Sequence, residues 1–131
     1  MSNKAKGSKA ERELVQILTD NGWRAARVAG SGVNDNSPCD ILAGKHGKGG
    51  FAIEAKSSKK SRIYITKSQI EDFLMFADMR GIKPVIATRF NREGWHFISP
   101  EQLEDTGNNW VVSLESVKTV GKRFGQFFES T

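Results

Sequence analysis

Residues 37–60 read SPCDILAGKHGKGGFAIEAKSSKK and contain two short apolar runs on either side of a glycine-rich segment. The runs, 40–43 and 51–56, have the length and composition of strands. The segment between them, 44–50, is rich in glycine and predicts the turn of a β-hairpin. Charged residues nevertheless occupy both runs, so this hairpin is predicted to carry more than a hydrophobic core.

The charged residues of the two apolar runs are Asp40, Glu54 and Lys56. Side chains two apart on a strand share a face, roughly 6.7 Å from each other, so Glu54 and Lys56 point the same way. Hairpin pairing brings Asp40 near that face. Two carboxylates at one site repel each other unless a cation lies between them, and a hard divalent ion such as Mg²⁺ suits oxygen ligands. Lys56 would hold a water for attack or offset charge on phosphorus. For E-x-K alone, the alternative is an exposed surface ion pair.

A predicted helix adds a third acid. The sequence S-K-A-E at 8–11 is a capping box, with Ser8 as N-cap and Glu11 at the third helical position. Apolar residues follow at helical spacing: Leu14, Val15 and Leu18. Glu11 belongs to the same stripe and is therefore expected to face the core side. Capping by itself explains a glutamate here, and a third carboxylate in the metal shell is the other interpretation.

The order of the predicted elements indicates an α/β fold. Predicted strands lie at 23–28, 40–43, 51–56, 63–65, 84–88, 95–99 and 110–112. Predicted helices begin at Ser8, Thr66 and about Ser113, and 29–38 reads as a loop. We expect one domain over residues 1–131, with a mixed β-sheet flanked by helices and a flexible basic tail at 1–7.

Charge and cysteine content narrow the function classes. The net charge is +5, and residues 1–67 hold 13 Lys and Arg against 6 Asp and Glu, whereas residues 68–131 hold 7 against 9. Positive charge around a few acids indicates a polyanionic partner beside a cation site, with nucleic acid as the leading candidate. A lone cysteine, Cys39, excludes an internal disulfide and favours a cytoplasmic protein, and no apolar segment is long enough to span a membrane.

The second predicted helix has more apolar surface than one face requires. One stripe comprises Ile70, Phe73, Leu74 and Ala77, and a second comprises Met75, Phe76 and Met79. The first stripe is predicted to be core. The second would be buried by the C-terminal segment or would form a subunit contact, and we favour the contact.

Most of the chain resembles one nuclease family. The pattern of a helix Glu, then Asp, then E-x-K on adjacent strands resembles the PD-(D/E)xK nucleases. Within them the segments KGSKAERE, RVAGSG, SPCDILA, IEAKSS and YITKSQIEDF resemble the archaeal Holliday junction resolvases of the Hjc type. Cys39 separates Pro38 from Asp40 where the family name has Pro-Asp, which affects the turn more than the acid. The resemblance implies a restriction-endonuclease-like fold and a Mg²⁺-dependent, structure-specific endodeoxyribonuclease that resolves four-way DNA junctions by paired phosphodiester hydrolysis.

The same resemblance implies the roles of individual residues. Glu11, Asp40 and Glu54 would bind Mg²⁺, with Mn²⁺ as a substitute, and Lys56 would be the catalytic lysine. Ser31 would be an active-site serine on a loop, and Gln69 would lie beside the site. Candidates for phosphate contacts are Lys4, Lys6, Lys9, Arg12, Arg27, Lys45, Lys48, Lys59, Lys60 and Arg62.

The resemblance also implies one partner, a second copy of the chain. Two symmetric cuts require two sites, hence a homodimer. Phe124, Phe127 and Phe128 have the spacing of a sliding-clamp (PCNA) binding peptide, although Gly121 stands where that motif has Gln, and core packing explains the same rings. Two alternatives stay open for the activity: another PD-(D/E)xK nuclease, restriction-type or flap-cleaving, or a junction-binding protein without catalysis.

Overall fold

The structure, a computed structural model, describes residues 3–28 and 38–129, with the backbone alone for residues 3–7. The helices of this part of the chain are α1 (Asn3–Asp20), α2 (Lys67–Met79) and α3 (Leu114–Val120). Its strands are β1 (Arg24–Arg27), β2 (Ile41–Lys45), β3 (Gly49–Ser58), β4 (Arg62–Thr66), β5 (Lys83–Phe90), β6 (Gly94–Ile98), β7 (Glu104–Asp105) and β8 (Asn109–Ser113). A 3₁₀ turn, Pro100–Gln102, and a π-helical turn, Gly125–Glu129, complete them.

Five strands form a central mixed sheet in the order β1-β2-β3-β5-β6. The predicted hairpin is present, because β2 and β3 pair antiparallel with Ile41 opposite Ile53. β3 and β5 are parallel, and every other pair in this sheet is antiparallel. The predicted mixed sheet flanked by helices is confirmed.

A second sheet, in the order β4-β8-β7, was not anticipated from the sequence. β4 does not continue the central sheet, because β5 occupies the free edge of β3 along its length. β4 pairs with β8 instead, which places Ile63 opposite Val112 and Ile65 opposite Trp110. The apolar side chains of β4 are therefore buried by a strand that lies about 45 residues later in the sequence.

Two apolar clusters cover the two faces of the central sheet. Ala52 of β3 packs in a cluster with Phe73 of α2, whereas the next residue, Ile53, packs in a cluster with Leu14 of α1. This alternation follows from the period of two along a strand. Removing both faces from water is the main stabilising contribution to the fold.

The first helix begins earlier than the sequence predicts. α1 starts at Asn3, so Ser8 lies inside the helix and is not its N-cap. Residues 3–7 of the segment predicted to be a flexible tail are helical in the structure. The Ser8 hydroxyl instead accepts a hydrogen bond of 3.0 Å from Arg27. The helix ends at Asp20, and Gly22 adopts a φ of +86° just beyond it.

The second helix begins as predicted. The Thr66 hydroxyl accepts a hydrogen bond from the Gln69 backbone N–H, which caps α2. Of the stripe expected to be core, Ile70, Phe73 and Ala77 are buried. Leu74 is 37 % exposed, so its assignment to the core is wrong: it lies beyond the arc of the helix that faces the sheet.

The chain end lies over the α1 face of the sheet. The last helix, α3, ends at Val120. The chain then continues in an extended form, and Lys122 pairs with Phe97 through backbone hydrogen bonds. The Phe128 ring is buried and lies 5.2 Å from the rings of both Trp23 and Phe51, measured between centroids. None of the described helices is long and apolar enough to cross a membrane.

Candidate active site

The first acid of the hairpin is held by backbone. Asp40 directly precedes β2, and its backbone N–H donates to the carbonyl of Ile53. Continuing the register of β2 and β3 places Asp40 opposite Glu54. The Asp40 carboxylate accepts a hydrogen bond of 2.9 Å from the backbone N–H of Ala55. The hairpin thus fixes the position of this carboxylate beside Glu54.

The second acid is almost fully withdrawn from water. Glu54 is 2 % exposed, and its Oε2 accepts a hydrogen bond of 2.9 Å from Nε2 of Gln69. The pKa of Glu54 is raised from 4.5 to about 8, mainly by burial and next by the charge of Asp40, while Lys56 opposes both. A buried carboxyl group with this pKa is mostly protonated at neutral pH, and a bound cation would favour its ionised form.

The lysine of the E-x-K motif shares the face of Glu54, as the strand period predicts. Lys56 Nζ lies 3.3 Å from Glu54 Oε2, and the Lys56 side chain is about a quarter exposed. The ammonium group therefore lies between the buried carboxyl and solvent. An approaching phosphate would meet this positive charge first.

Glu11 is buried, as its position on the apolar stripe predicts, and it reaches the site from α1. It is 5 % exposed, and its Oε1 lies 2.9 Å from Nε of Arg27 at the end of β1. Its charge also raises the pKa of Glu54, by less than the charge of Asp40 does. Because α1 covers the opposite face of the sheet from α2, Glu11 and Gln69 approach Glu54 from different sides.

Two of the three predicted carboxylates, those of Asp40 and Glu54, lie next to each other at the site. Over residues 3–28 and 38–129 the structure has no group of three or more His, Cys, Asp or Glu side chains arranged to hold a metal ion. Asp40 and Glu54 are neighbours across the hairpin, whereas Glu11 is occupied by Arg27. This arrangement suits an ion that keeps several waters and takes one or two protein carboxylates, as Mg²⁺ does.

Several basic residues lie at the same end of the sheet as Glu54. Lys9 and Arg12 are exposed on α1, and Lys59, Lys60 and Arg62 are exposed where β3 leads into β4. Lys45 and Lys48 lie at the opposite end, at the hairpin turn, and Lys45 Nζ donates to the carbonyl of Asn21. Arg27 is engaged by Glu11 and Ser8. The basic residues predicted to bind DNA thus fall into distinct groups.

For three of the predicted site residues the structure describes no side chain. Ser31 falls between residues 28 and 38, and Lys4 and Lys6 lie in the segment described by backbone alone. Their proposed roles stay predictions.

Sequence reasoning missed the groups that hold the acids in place. The Ala55 N–H has no sequence signature, and Arg27 was predicted to bind phosphate although it pairs with Glu11. Cys39 is fully buried beside the site, and burial raises the pKa of its thiol to about 12. The thiol is therefore protonated and unreactive at neutral pH. In the sequence, the burial of Cys39 was indicated only by the apolar residues that follow it.

Two acids and a lysine on neighbouring strands of a mixed sheet, with helices on both faces, are typical of the PD-(D/E)xK nucleases. A family model described as archaeal Holliday junction resolvase (Hjc) matches residues 2–128. The chain therefore belongs to the archaeal Holliday junction resolvase family.

Individual relatives agree with the family. The crossover junction endodeoxyribonuclease Hjc of Archaeoglobus fulgidus is 37 % identical, with 96 % of this chain and 94 % of that protein covered. Hjc of Methanocaldococcus jannaschii is 38 % identical, with coverages of 91 % and 84 %. The crystal structure of A. fulgidus Hjc, a Holliday junction resolvase, superposes with a TM-score of 0.83 at 29 % identity over 96 % of this chain and 98 % of that one.

Proposed function

We propose that this protein resolves four-way DNA junctions by Mg²⁺-dependent hydrolysis of phosphodiester bonds in two symmetric strands. Membership of the resolvase family supports the substrate and the reaction class. The observation that carries the catalytic assignment is the buried Glu54 carboxyl, held between Asp40, Lys56 and Gln69. Nothing in a purely structural role requires these groups to be gathered at one solvent-facing end of a sheet.

Nucleases of this family depend on a metal ion in general, and the residues present fit one. The donor set consists of carboxylate oxygens, the ligands that Mg²⁺ and its substitute Mn²⁺ prefer. Asp40 and Glu54 would hold the ion. The raised pKa of Glu54 shows that its ionised form lacks compensating positive charge, which an ion would supply. Glu11 would join them after release from Arg27. A bound ion of this kind makes its water more acidic and neutralises charge on phosphate oxygens.

The residues of the chain divide the remaining work. The Ala55 N–H orients Asp40, and the Gln69 amide orients Glu54, so neither carboxylate must be ordered when substrate arrives. The Lys56 ammonium either holds the attacking water or stabilises negative charge developing on the phosphate. Ser31 is proposed to be an active-site serine.

The exposed lysines and arginines at this end are proposed to bind phosphates. Lys9, Arg12, Lys59, Lys60 and Arg62 have exposed side chains suited to that role, whereas Lys45 and Lys48 lie at the far end of β2 and β3. Binding through such contacts weakens by about 0.9 power of the salt concentration for each phosphate neutralised.

Asp40→Asn tests the catalytic assignment. We expect the variant to bind a synthetic four-way junction as wild type does and to cut it at least 100-fold more slowly, because the ligand is lost and the basic surface remains. Asp78→Asn, the same change on the exposed side of α2, is the matched control and should cut normally. Cutting by Asp40→Asn at the wild-type rate would overturn the assignment.

The substrates separate the alternatives. A four-way junction, a flap, a linear duplex and a single strand are each incubated with and without Mg²⁺. Preference for the flap or duplex would favour another PD-(D/E)xK nuclease. Junction binding without cutting under any metal would favour a binding protein whose acids are structural.

A homodimer is proposed through the outer face of α2. Met75 is 62 % and Met79 is 76 % exposed, although Arg80 covers the Phe76 ring at 3.8 Å. The C-terminal segment packs in the cluster on the α1 face, so within the described chain it does not cover these methionines. Exposed apolar side chains one helical turn apart suit a subunit contact.

Sliding-clamp binding through Phe124, Phe127 and Phe128 is the weaker proposal. Phe128 is buried, and all three rings lie within 6.0 Å of Phe97, measured between centroids. A clamp could bind these rings only after they leave the core. Removing the chain from residue 124 onward without changing clamp affinity would exclude it. The cytoplasmic location stays a prediction.

A further inference from the structure

The tip of the β5–β6 hairpin holds an arginine in an unusual backbone conformation. Arg92 has a φ of +65°, and it is the one residue other than glycine with positive φ in the part of the chain that the structure describes. This region disfavours residues with a Cβ by roughly 1–2 kcal/mol, and glycine or asparagine is its ordinary occupant. The side chain of Arg92 is exposed and has no ion pair or hydrogen bond to the described residues. Nothing in the folding of the hairpin explains why arginine stands here.

The hairpin is held in place by the C-terminal segment. Arg123 donates a hydrogen bond of 2.7 Å from Nη1 to the carbonyl of Glu93. Its guanidinium packs so closely over Gly94 that a Cβ at that position would come within 2.8 Å of Nη2. The tip is therefore a supported structure that presents Arg92 to solvent.

The charge around the tip is positive although the second half of the chain is acidic. Lys118 lies 3.2 Å from Glu93 and neutralises it. Lys122 and Arg123 follow in the adjoining segment, so Arg92, Lys122 and Arg123 remain as excess positive charge. Glu93 is the one carboxylate of residues 91–94, and it is paired with Lys118.

The tip lies at the same end of the sheet as the candidate active site. Thr88 pairs with Lys56 across β3 and β5, and the backbone N–H of Asn91 donates to the carbonyl of Ser58. β5 ends at Phe90, two residues or roughly 7 Å beyond Thr88, and Arg92 lies in the turn that follows. This distance corresponds to about two base-pair steps of B-form DNA, so one helical arm can reach both positions.

We infer that the β5–β6 hairpin tip is a second DNA backbone clamp, in which Arg92 contacts a phosphate of the arm whose strand is cut at Lys56. The inference rests on the proposed function, since it assigns a contact to the same substrate. A phosphate contact at the tip accounts for an arginine where glycine would be the unstrained residue. Arg123 supports the hairpin and adds to the positive field.

Arg92→Gly tests this directly, because glycine relieves the backbone strain while removing the charge. Affinity for a fluorescent four-way junction is measured by anisotropy in EDTA, where no cutting occurs, from 50 to 200 mM KCl. We expect the slope of log affinity against log salt to become shallower by about 0.9, and affinity to fall about eight-fold at 0.1 M salt. Thermal unfolding of the variant should occur at the wild-type temperature or above it.

Two further variants make the result specific. Arg92→Lys keeps the charge and should retain the wild-type salt slope. Lys83→Gln removes an exposed positive charge at the start of β5, at the far end of the sheet, and should leave the slope unchanged. A wild-type slope in Arg92→Gly, or an equal loss in Lys83→Gln, would overturn the clamp. Failure of the wild-type protein to bind the junction would instead overturn the proposed function.

Discussion

Replacing Glu54 by glutamine should stabilise the metal-free protein, by an amount that depends on pH. Burial raises the pKa of Glu54 from 4.5 to about 8, so the folded protein binds one proton more than the unfolded chain between these values. Stabilisation from the protonated form is complete below pH 4.5 and is lost as the pH rises through about 8. Glutamine preserves the shape and an acceptor for Gln69 and has no charge to bury.

The size of the effect follows from the difference between the two pKa values. At 1.36 kcal/mol per pKa unit, ionising buried Glu54 costs roughly 5 kcal/mol across the whole range and about 3 kcal/mol at pH 7. The free energy of unfolding of Glu54→Gln should therefore exceed that of wild type by up to about 3 kcal/mol at pH 7, by more at pH 8, and by less than about 1 kcal/mol at pH 5. Total stabilities of 5–15 kcal/mol make such a difference easy to measure.

Urea unfolding in EDTA at pH 5, 7 and 8 measures the difference. Glu71→Gln, the same change at an exposed position of α2, is the control and should alter stability by no more than about 0.5 kcal/mol. Adding Mg²⁺ should raise the melting temperature of wild type and have a smaller effect on Glu54→Gln, because the ion binds the ionised carboxylate. A variant less stable than wild type at pH 8, or a difference independent of pH, would refute the account of Glu54.

Three further substitutions test separate parts of the molecule. Gln69→Ala should lower the cutting rate about ten-fold or more and leave junction affinity unchanged, because Glu54 loses the amide that orients it; a normal rate would exclude Gln69 from the site. Met75→Glu with Met79→Glu should give a folded monomer by analytical ultracentrifugation that nicks one strand without the paired second cut, and a persistent dimer would refute the α2 contact. Phe128→Ala should destabilise the protein by about 3–5 kcal/mol in thermal unfolding, and near-neutrality would show that its ring is not core.

Local pattern predicted the elements that carry the site. The hairpin of β2 and β3, the Thr66 cap of α2 and the shared face of Glu54 and Lys56 all follow from spacing of two or of three to four residues. These features depend on neighbours in the chain, so the sequence contains the information directly. The burial of Glu11 followed from the same periodicity.

Other features depend on partners that are distant in sequence. Leu74 was predicted to be core because its spacing fits the stripe, but the width of the buried arc is set by the sheet beneath α2. β4 is not part of the central sheet because β5 pairs with the edge of β3. Ser8 was predicted to be an N-cap from the S-K-A-E pattern, but α1 begins at Asn3, so Ser8 lies inside the helix.

The amino-acid sequence by itself determined which residue types meet at this site, because acids and a lysine inside apolar strands can be tolerated only where their charges are compensated. Tertiary structure decided how they are compensated. Arg27 binds Glu11, the Ala55 N–H holds Asp40, and burial under α2 raises the pKa of Glu54. These contacts join elements that are distant in sequence, so their distances and electric fields arise only when the elements pack together.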